Sequence, residues 1–453
     1  MIGILYSVGS FLVAISILIA FHEFGHYWVA KRLGVKVLRY SIGFGKPLWK
    51  KIAGPDKTEY VIAALPLGGY VKMLDEREGE VAEEEKHRAF NRQKTWKRFV
   101  IVFAGPAFNL LFAVLAYLFV ALTGTAGLKP VVAFVAPDSP AAVAGLQSGM
   151  EIVSVDGWRT PTWSAVLQEA LPRLVDRSEV QVNAKINNGI EHSYTLNLHD
   201  LGVEEGIQQP EKAMGIFLFN IPPMVGSFGD NSPAQKAGLK VGDVITQIDN
   251  QPIRHWTDIS DYVVVRPDQD LKVVVKRDGE IKSFKIHTYE KKRNGRKIGL
   301  LGIGPDTSSI KITDKDRTEF KLGLLDGIVY SVHRTWVISR VTLHAMWLIA
   351  STKMSITNIS GPISIAVTAG QSASLGINQF VIFLALVSVS LGILNLLPIP
   401  ILDGGHLMFY LYEFVSGKPV SEHVEAIGQR IGIALLMMLM ALAFYNDIMR
   451  YVH

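Results

Sequence analysis

Two histidines and a glutamate near the N-terminus have the spacing of a metal-dependent hydrolase. His22, Glu23 and His26 form an H-E-x-x-H pattern. Residues four apart lie on one face of a helix, so both imidazoles can bind one zinc ion while the glutamate between them acts as general base. Long chains contain this pattern by chance. Its surroundings therefore decide whether zinc chemistry is a reasonable hypothesis.

The surroundings of the motif are those of a membrane span. It lies in an apolar run from Phe11 to Ala30. An ionisable side chain within a membrane helix costs roughly 2–3 kcal/mol even on lenient insertion scales, so such residues mark function by default. A metal ion would compensate three of them together. The run lacks a basic start and an Ala-x-Ala-like cleavage site, so we expect a retained transmembrane helix over 1–34 rather than a signal peptide.

The composition favours an integral membrane protein with sizeable soluble parts. The chain has 453 residues, of which 49% are hydrophobic, and its mean hydropathy is +0.25. It contains no cysteine, which excludes disulfides and cysteine-ligated zinc sites. A formal charge of +5 is modest for this length, and we expect no nucleic-acid partner.

The hydropathy pattern predicts a multi-spanning α-helical membrane protein. We place four transmembrane helices at 1–34, 99–123, 377–406 and 427–447. The apolar part of the first helix runs from about Ile4 to Ala30. Lys31, Arg32, Lys36 and Arg39 follow it, whereas no Lys or Arg precedes it. Basic residues favour the cytoplasmic side. We therefore expect both termini outside and 35–98 in the cytoplasm.

The segment 35–98 predicts a small membrane-associated sheet followed by a charged loop. Val35–Ser41 and Glu59–Ala64 have the alternation and β-branching of strands. A third apolar stretch, 65–73, contains Gly68 and Gly69. We expect this β-loop to lie near the motif, and we interpret 75–98 as a solvated loop.

An internal repeat predicts two similar domains at 127–220 and 221–306. Residues of the first copy recur in the second at a constant offset of 93 (232 − 139): Ser139 as Ser232, Gly145 as Gly238, Asp156 as Asp249 and Trp163 as Trp256. Each copy resembles a PDZ domain in its bacterial, circularly permuted form, an α+β fold. The resemblance implies carboxylate-binding loops for peptide C-termini at Gly215-Ile216 and Gly302-Ile303. The alternative is a pair of β domains that act as spacers.

A second unusual apolar segment supplies an acid. After 307–376, interpreted as membrane-surface helices and a linker, the third span is helical over about 380–397. It ends in a segment that contains Asn395, Pro398, Pro400 and Asp403. Two prolines two apart prevent regular helix. Because the first and third helices both run towards the cytoplasmic side, Asp403 can meet His22 and His26 at one depth. We predict it as the third ligand of one zinc ion per chain. Asn395 could hydrogen-bond the substrate backbone or an oxyanion.

These motifs together resemble the site-2 protease family of intramembrane zinc metalloproteases. The resemblance rests on the H-E-x-x-H motif, Gly105-x-x-x-Asn109, the tandem repeat, and Asn395-x-x-Pro398-x-Pro400-x-x-Asp403-Gly404. It implies a zinc metalloendopeptidase of the bacterial inner membrane that acts in regulated intramembrane proteolysis during envelope stress. It would cleave the transmembrane segment of an anti-sigma factor already trimmed by a periplasmic protease, and remnant signal peptides.

The resemblance also implies roles for single residues. The β-loop edge at Gly68, Gly69 and Tyr70 would pair with unwound substrate, and Asn395, Pro398 and Pro400 would contact it. The periplasmic PDZ pair would exclude untrimmed substrates. Ser390 stands where members often have a second asparagine, so no substrate role is transferred to it.

Two other interpretations stay open from the residues alone. A non-catalytic PDZ scaffold with a vestigial motif should have lost His22, Glu23, His26 or Asp403, and none is lost. A zincin with a soluble site on a membrane anchor needs a third ligand on a helix within 31–98, where we find no suitable Glu or His.

Overall fold

The computed structural model describes residues 2–452 except 187–188, 294–295, 309 and 311. The chain folds into two compact units. The first consists of Met1–Thr125 and Phe320–Tyr451, and the second of Ala126–Glu319. The predicted metal ligands all belong to the first unit, and the internal repeat belongs to the second.

The N-terminal part of the first unit is two long helices around a hairpin. Its elements are α1 (Ile2–Arg32), β1 (Val37–Ala53), β2 (Thr58–Met73), a short 3-10 helix (Glu83–Arg88) and α2 (Thr95–Thr123). Gly25 of α1 allows close approach to α2, because a Cβ there would lie 2.4 Å from the Ala104 carbonyl oxygen. The sheet is fastened to α1 where Tyr40 donates a hydrogen bond to the carbonyl of Ala20 at 2.8 Å.

The hairpin bends so that its two strands make a four-segment sheet. Residues 37–42 pair on one side with 69–73 and on the other with 59–62, and 47–53 pair with 58–63. The sequence predicted strands at Val35–Ser41 and Glu59–Ala64 and a third apolar stretch at 65–73. The bend at Gly43 (φ 94°) and Gly45 (φ 88°) adds a further segment, because positive φ is readily available to glycine. Among the described residues, segment 69–73 pairs on one side only, so it is an edge strand.

The second unit contains two sheets of the same strand order, which accounts for the sequence repeat. The first sheet is ordered β6-β5-β7-β8 and the second β12-β11-β13-β14. In both copies a Ser-Pro pair starts the first helix, and the serine Oγ accepts from the amide three residues on, at Ala142 and Gln235. This is N-capping with proline at the first helical position.

The bounds of the elements in the first copy and its entry strand follow the chain. They are β3 (Thr125–Leu128), β4 (Phe134–Val135), α3 (Pro140–Val143), β5 (Met150–Val155), β6 (Trp158–Arg159), α4 (Trp163–Asp176), β7 (Val180–Ile186), β8 (His192–Leu196), α5 (Val203–Gln208), α6 (Pro210–Met214) and β9 (Ile216–Phe217).

The second copy differs from the first by a β-hairpin where the first has two short helices. Its elements and the exit strand are β10 (Val225–Phe228), α7 (Pro233–Lys236), β11 (Val244–Ile248), β12 (Gln251–Pro252), α8 (Trp256–Val264), β13 (Asp270–Arg277), β14 (Glu280–His287), β15 (Tyr289–Arg293), β16 (Arg296–Leu300), β17 (Ile303–Pro305) and β18 (Arg317–Phe320). Strand β18 pairs with β3.

Five helices complete the first unit: α9 (Leu324–Ala350), α10 (Pro362–Ser374), α11 (Ile377–Asn395), α12 (Asp403–Ser416) and α13 (Glu422–Val452). Helix α9 is one continuous helix where the sequence predicted one or two. It packs against α2: a Cβ added at Gly327 of α9 would lie 3.1 Å from the Leu118 side chain of α2. Among the described residues, four helices are long and apolar enough to cross a membrane: Gly3–Arg32, Thr95–Thr123, Ile377–Asn395 and Glu422–Arg450.

The third of these helices ends close to where the sequence predicted, and the break at the prolines is present. The sequence interpretation placed the end of regular helix near 397, within a span of 377–406 that carries Asp403. In the structure α11 ends at Asn395, and Asp403 is the first residue of a separate helix, α12, which the sequence did not predict. Pro398 and Pro400 cause the break, because they lack the amide hydrogens that a helix needs. The tight turn also requires Gly404, whose Cβ would lie 2.2 Å from the Leu397 carbonyl oxygen.

Candidate metal centre

Helices α1 and α12 bring three side chains to one point. His22 Nε2 lies 3.2 Å from His26 Nε2 and 3.2 Å from Asp403 Oδ2. His26 Nε2 lies 3.6 Å from Asp403 Oδ1. Donor atoms bound to one zinc ion at about 2.0–2.1 Å in a tetrahedron stand about 3.3–3.4 Å apart. The two Asp403 distances are to different carboxylate oxygens, and the three side chains have the approximate spacing of three ligands of one tetrahedral zinc ion.

The hydrogen bonds of the ligands suit a metal. His26 Nδ1 donates to the carbonyl of Ile101 at 2.9 Å, which leaves the Nε2 lone pair for the ion; the second nitrogen of a ligating histidine is usually held in this way. Buried Asp403 Oδ2 has no hydrogen-bond partner among the described residues. The two oxygens of this carboxylate each lie near one imidazole nitrogen, Oδ2 near His22 and Oδ1 near His26, an arrangement that fits a cation. The residues present therefore fit a zinc ion.

Gly105 of α2 makes the space for both imidazoles. A Cβ at this position would lie 2.3 Å from His26 Nε2 and 2.7 Å from His22 Cε1. No side chain larger than hydrogen fits there. The Gly-x-x-x-Asn element of the sequence thus has a local physical reason, since its glycine faces the ligands.

Helix α12 is held against α2 by a partly buried ion pair. Glu413 Oε1 accepts from Arg98 Nη2 at 2.5 Å and from Thr95 Oγ1 at 2.8 Å. The Arg98 guanidinium also lies 5.0 Å from the ring centre of Tyr410. These contacts anchor the helix whose first residue, Asp403, is the candidate third ligand. A carboxylate at a helix N-terminus is also favoured by the helix dipole.

Glu23 and the sheet edge share a pocket with the metal ligands. The pocket has a volume of about 360 Å³ and is lined by the three ligands, Glu23, Gly69, Tyr70, Val71 and Met73, among others. A Cβ on Gly69 would approach Glu23 Cγ to 2.9 Å and the Ser41 carbonyl oxygen to 2.7 Å. Edge segment 69–73 therefore borders the proposed base and ligands.

The predicted substrate-contact residues are only partly brought together. Gly69 and Tyr70 line the pocket, whereas Gly68 faces the Phe44 ring, 2.1 Å from a Cβ placed on it. Asn395, Pro398 and Pro400 are not among the lining residues. Asn395 is the half-buried last residue of α11, and the prolines form the turn into α12.

Two neighbouring serines of α11 have different surroundings. Ser390 is hydrogen-bonded to the carbonyl of Leu386 at 3.1 Å and does not line the pocket. Ser388 is buried and donates to the carbonyl of Asn109 at 2.8 Å. Ser390, which was noted in the sequence, thus bonds only within its own helix, whereas Ser388 makes the contact with α2.

Sequence reasoning assigned no role to several residues that line the pocket. His406 and Tyr410 line it, three and seven positions after Asp403 on α12. That helical spacing was the available signal, but the sequence interpretation placed no helix after Asp403. Asp75 and Arg77, interpreted as solvated loop, also line the pocket and form a two-contact ion pair at 3.0 and 2.8 Å. Burial raises the pKa of Asp75, but the hydrogen bonds of Arg77 outweigh it and the net pKa is lowered.

The two predicted carboxylate loops differ in accessibility. Gly302 and Ile303 line a pocket of about 430 Å³ together with Trp256, Ile259 and Val263 of α8. In the first copy Ile216 is fully buried, and α5 packs against the matching helix α4, where a Cβ on Gly206 would lie 3.3 Å from Leu174. Gly215 and Gly302 both have positive φ, 77° and 70°.

His255 of the second copy is buried. Its ring stacks on Phe134 of the first copy at 4.3 Å, and its Nε2 accepts from the Ile221 amide at 3.0 Å. Burial lowers its pKa, more than Asp258 raises it. It joins the two copies within the second unit.

Comparison with known proteins agrees with this geometry. The model of Peptidase family M50 matches residues 10–439. The regulator of sigma-E protease of Escherichia coli is 41% identical over 454 residues, which cover 99% of this chain and 100% of that protein. The regulator of sigma E protease of Haemophilus influenzae is 39% identical over 98% of this chain and 99% of that protein.

Two further matches differ in what they show. A protein of Vibrio cholerae, named as a zinc metalloprotease, is 40% identical over 99% of this chain and 100% of its own length. The solved PDZ domain of the SdrC-like protein of Listeria monocytogenes is 22% identical over 20% of this chain and 94% of its own, with a TM-score of 0.17, too low to support a shared fold. The full-length matches decide the matter: the chain belongs to peptidase family M50 and is a zinc metalloprotease.

Proposed function

We propose that this protein is an intramembrane endopeptidase that cleaves transmembrane segments, with His22, His26 and Asp403 as zinc ligands and Glu23 as general base. The observation that carries the proposal is the single pocket that contains the three ligand side chains, Glu23 and the free edge of β2. Two of the proposed ligands lie in the candidate span Gly3–Arg32, which supports chemistry within the membrane.

Each protein group has a defined task in peptide hydrolysis. A zinc ion held here supplies Lewis acidity towards a peptide carbonyl and lowers the pKa of water to about 7. Glu23 is beside this position and takes the proton of the attacking water, then returns it to the leaving amine. His26 is oriented by the Ile101 carbonyl, so its geometry is set before substrate binds.

The β2 edge solves a problem that any intramembrane protease has. A substrate helix in lipid has all its backbone groups hydrogen-bonded internally, so its peptide bonds are protected. Unpaired backbone groups along 69–73 offer replacement hydrogen bonds to an unwound segment. Because this edge lines the metal pocket, a strand paired to it would pass the ligands.

The names of the relatives and the charge pattern support a substrate class and an orientation. Relatives named as regulators of sigma-E at about 40% identity support a pre-trimmed anti-sigma factor as substrate, with remnant signal peptides as a second class. The basic flank after α1 supports a cytoplasmic β-loop and a site that opens towards the cytoplasm. With four spans, both termini and the second unit are periplasmic in the bacterial inner membrane.

The two repeats are PDZ-like modules with unequal roles in this proposal. The second copy has an accessible groove between Ile303 and α8, suited to a peptide C-terminus. In the first copy the buried Ile216 and the packed α5 leave the matching position covered. The pair acts as a filter that admits trimmed substrates, with the second copy as the peptide-binding member.

Cleavage of a single-span reporter in proteoliposomes tests the proposal. We expect the full chain to cleave the reporter, a zinc chelator to stop cleavage and added zinc to restore it. Glu23→Gln should keep zinc but lose at least about 100-fold in rate, since general-base catalysis contributes about 10²–10⁴-fold. Glu84→Gln, which changes an exposed glutamate, is the matched control.

The outcomes separate the alternatives. A Glu23→Gln protein with wild-type turnover would contradict the assigned base. A wild-type protein with neither stoichiometric zinc nor cleavage would instead support the non-catalytic scaffold.

A further inference from the structure

Asn109 of α2 is a buried polar side chain directed at a metal ligand. It is 1% exposed and stands one helical turn after Gly105. Its Nδ2 lies 3.1 Å from His22 Nδ1. Its Oδ1 is buried without a hydrogen-bond partner among the described residues.

The amide orientation that points Nδ2 at His22 conflicts with metal binding. If Nδ2 donates to His22 Nδ1, the ring must carry its proton on Nε2, because a neutral imidazole has one donor and one acceptor nitrogen. Nε2 is the atom that faces His26 and Asp403 at 3.2 Å. A proton there would occupy the lone pair that a metal requires.

A half-turn of the amide group removes the conflict. The oxygen and nitrogen of an asparagine amide are assigned from hydrogen bonding and not from shape. Rotation places Oδ1 opposite His22 Nδ1, where it accepts the ring N–H. His22 would then be held as His26 is, whose Nδ1 donates to the Ile101 carbonyl at 2.9 Å. In both cases the acceptor belongs to α2 and Nε2 is left for the ion.

Packing keeps Asn109 in this position. Its backbone carbonyl accepts from Ser388 Oγ of α11 at 2.8 Å. A Cβ on Gly392 would lie 3.3 Å from Asn109 Cβ, so α11 and α2 are in close contact at this residue. The side chain therefore has few alternatives to facing His22.

We propose that Asn109 is a positioning residue whose Oδ1 accepts the Nδ1–H of His22, so that His22 presents Nε2 to the metal. The inference rests on the metal centre of the proposed function. It adds a residue that touches neither substrate nor zinc and acts only through His22. Loss of such a partner typically costs 10–100-fold in metal affinity.

Two substitutions separate the acceptor role from bulk. Asn109→Leu keeps the approximate size and removes the acceptor, whereas Asn109→Asp keeps an acceptor and cannot donate when ionised. The first measurement is zinc affinity of the full chain in detergent, by competition with a chelator. We expect Asn109→Leu to lose 10–100-fold and Asn109→Asp to stay within a few-fold of wild type. Ser388→Ala, which removes the bond to the backbone of Asn109, is the packing control and should leave zinc affinity nearly unchanged.

The second measurement reads the tautomer without metal. ¹⁵N chemical shifts of histidine-labelled, zinc-free protein distinguish a protonated Nδ1 from a protonated Nε2, with a His22→Gln protein to assign the signal. We expect Nδ1–H in wild type and in Asn109→Asp, and a shift towards Nε2–H in Asn109→Leu.

The two measurements can contradict the role of Asn109 and the metal centre separately. Wild-type zinc affinity in Asn109→Leu, or an Nε2–H tautomer in wild type, would overturn the role of Asn109. Absence of zinc from wild type would overturn the metal centre, and the tautomer measurement would still test the Asn109–His22 bond. If Asn109→Leu does not fold, the wild-type tautomer and Asn109→Asp decide, since a donor role predicts Nε2–H in wild type and a loss of zinc affinity in Asn109→Asp.

Discussion

Gly105 and His26 face each other across the contact between α1 and α2, and a Cβ on the glycine would stand 2.3 Å from His26 Nε2. The same Cβ would lie 2.7 Å from His22 Cε1. Helix α2 contributes none of the candidate ligands but therefore shapes the site in which they lie. It also supplies the Ile101 carbonyl that orients His26.

Gly105→Ala should disturb zinc binding more than helix stability. The added methyl group must displace one or both imidazoles, because contacts below 3.0 Å are not tolerated, while alanine itself favours helix over glycine by up to about 1 kcal/mol. We expect at least about 10-fold weaker zinc affinity and a parallel loss of cleavage. Gly9→Ala is the control, because Gly9 also lies in a candidate membrane helix and a Cβ there would have no atom within 4 Å. Equal zinc affinity in the two variants would contradict this account.

Asp403→Asn should reduce metal binding and cleavage together. The amide keeps the shape of the carboxylate but loses its charge, and Oδ2 currently has no hydrogen-bond partner among the described residues. Metal analysis of the purified protein and the reporter assay measure the two effects. Survival of both zinc content and turnover would place the third ligand elsewhere.

Glu413→Ala should loosen α12 and so act on the site from a distance. It leaves Arg98 and Thr95 without their shared acceptor, and hydrogen bonds to charged groups contribute about 1.5–3 kcal/mol. We expect a loss of about 1–3 kcal/mol in unfolding free energy and a smaller loss of zinc affinity than in Gly105→Ala. A double-mutant cycle with Arg98→Ala measures the coupling. Glu422→Ala, at an exposed residue, controls for loss of a glutamate. Additive effects of Glu413→Ala and Arg98→Ala in the cycle would contradict the ion pair as the contact that holds α12.

The contact between the two repeats should weaken in acid. The pKa of His255 is lowered in the fold by burial, so the neutral ring is favoured. Stability from this contact is complete above the unfolded pKa of about 6.5 and declines as pH falls below it. Protonation of Nε2 would oppose the Ile221 amide that it now accepts from. Hydrogen exchange at Ile221, corrected for intrinsic rate, measures the effect from pH 7.5 to 5.5.

A non-titrating variant tests the cause of that pH dependence. His255→Gln retains an acceptor without an ionisable ring, so its protection at Ile221 should not change over this pH range. Equal pH dependence in the variant and the wild type would exclude His255 as the responsible group.

Much of the local chemistry could be predicted from residue spacing alone. His22, Glu23 and His26 lie within one and a half helical turns, and helix periodicity is a short-range property. The repeat was equally accessible, because duplicated residues keep their offset whatever the packing. The four candidate spans, too, lie where hydropathy placed them.

The position of Asp403 shows where such reasoning reached its limit. Its role as the third ligand and the proline break before it were predicted, but the helix α12 that begins at Asp403 was not. Two prolines predict a break, but not that a new helix begins directly after it. Without α12, nothing in the sequence placed Tyr410 at the pocket, which it lines together with His406 of the same helix.

The sequence by itself thus determined the donor types, the helix that carries two of them and the duplication of the second unit. Only the tertiary structure decided that Gly105 and Asn109 face the histidines, that 69–73 is a free edge beside Glu23, and that His255 is buried. The physical reason is range. Spacing along one element is set by backbone geometry, whereas contacts between elements depend on how side chains from distant segments pack together.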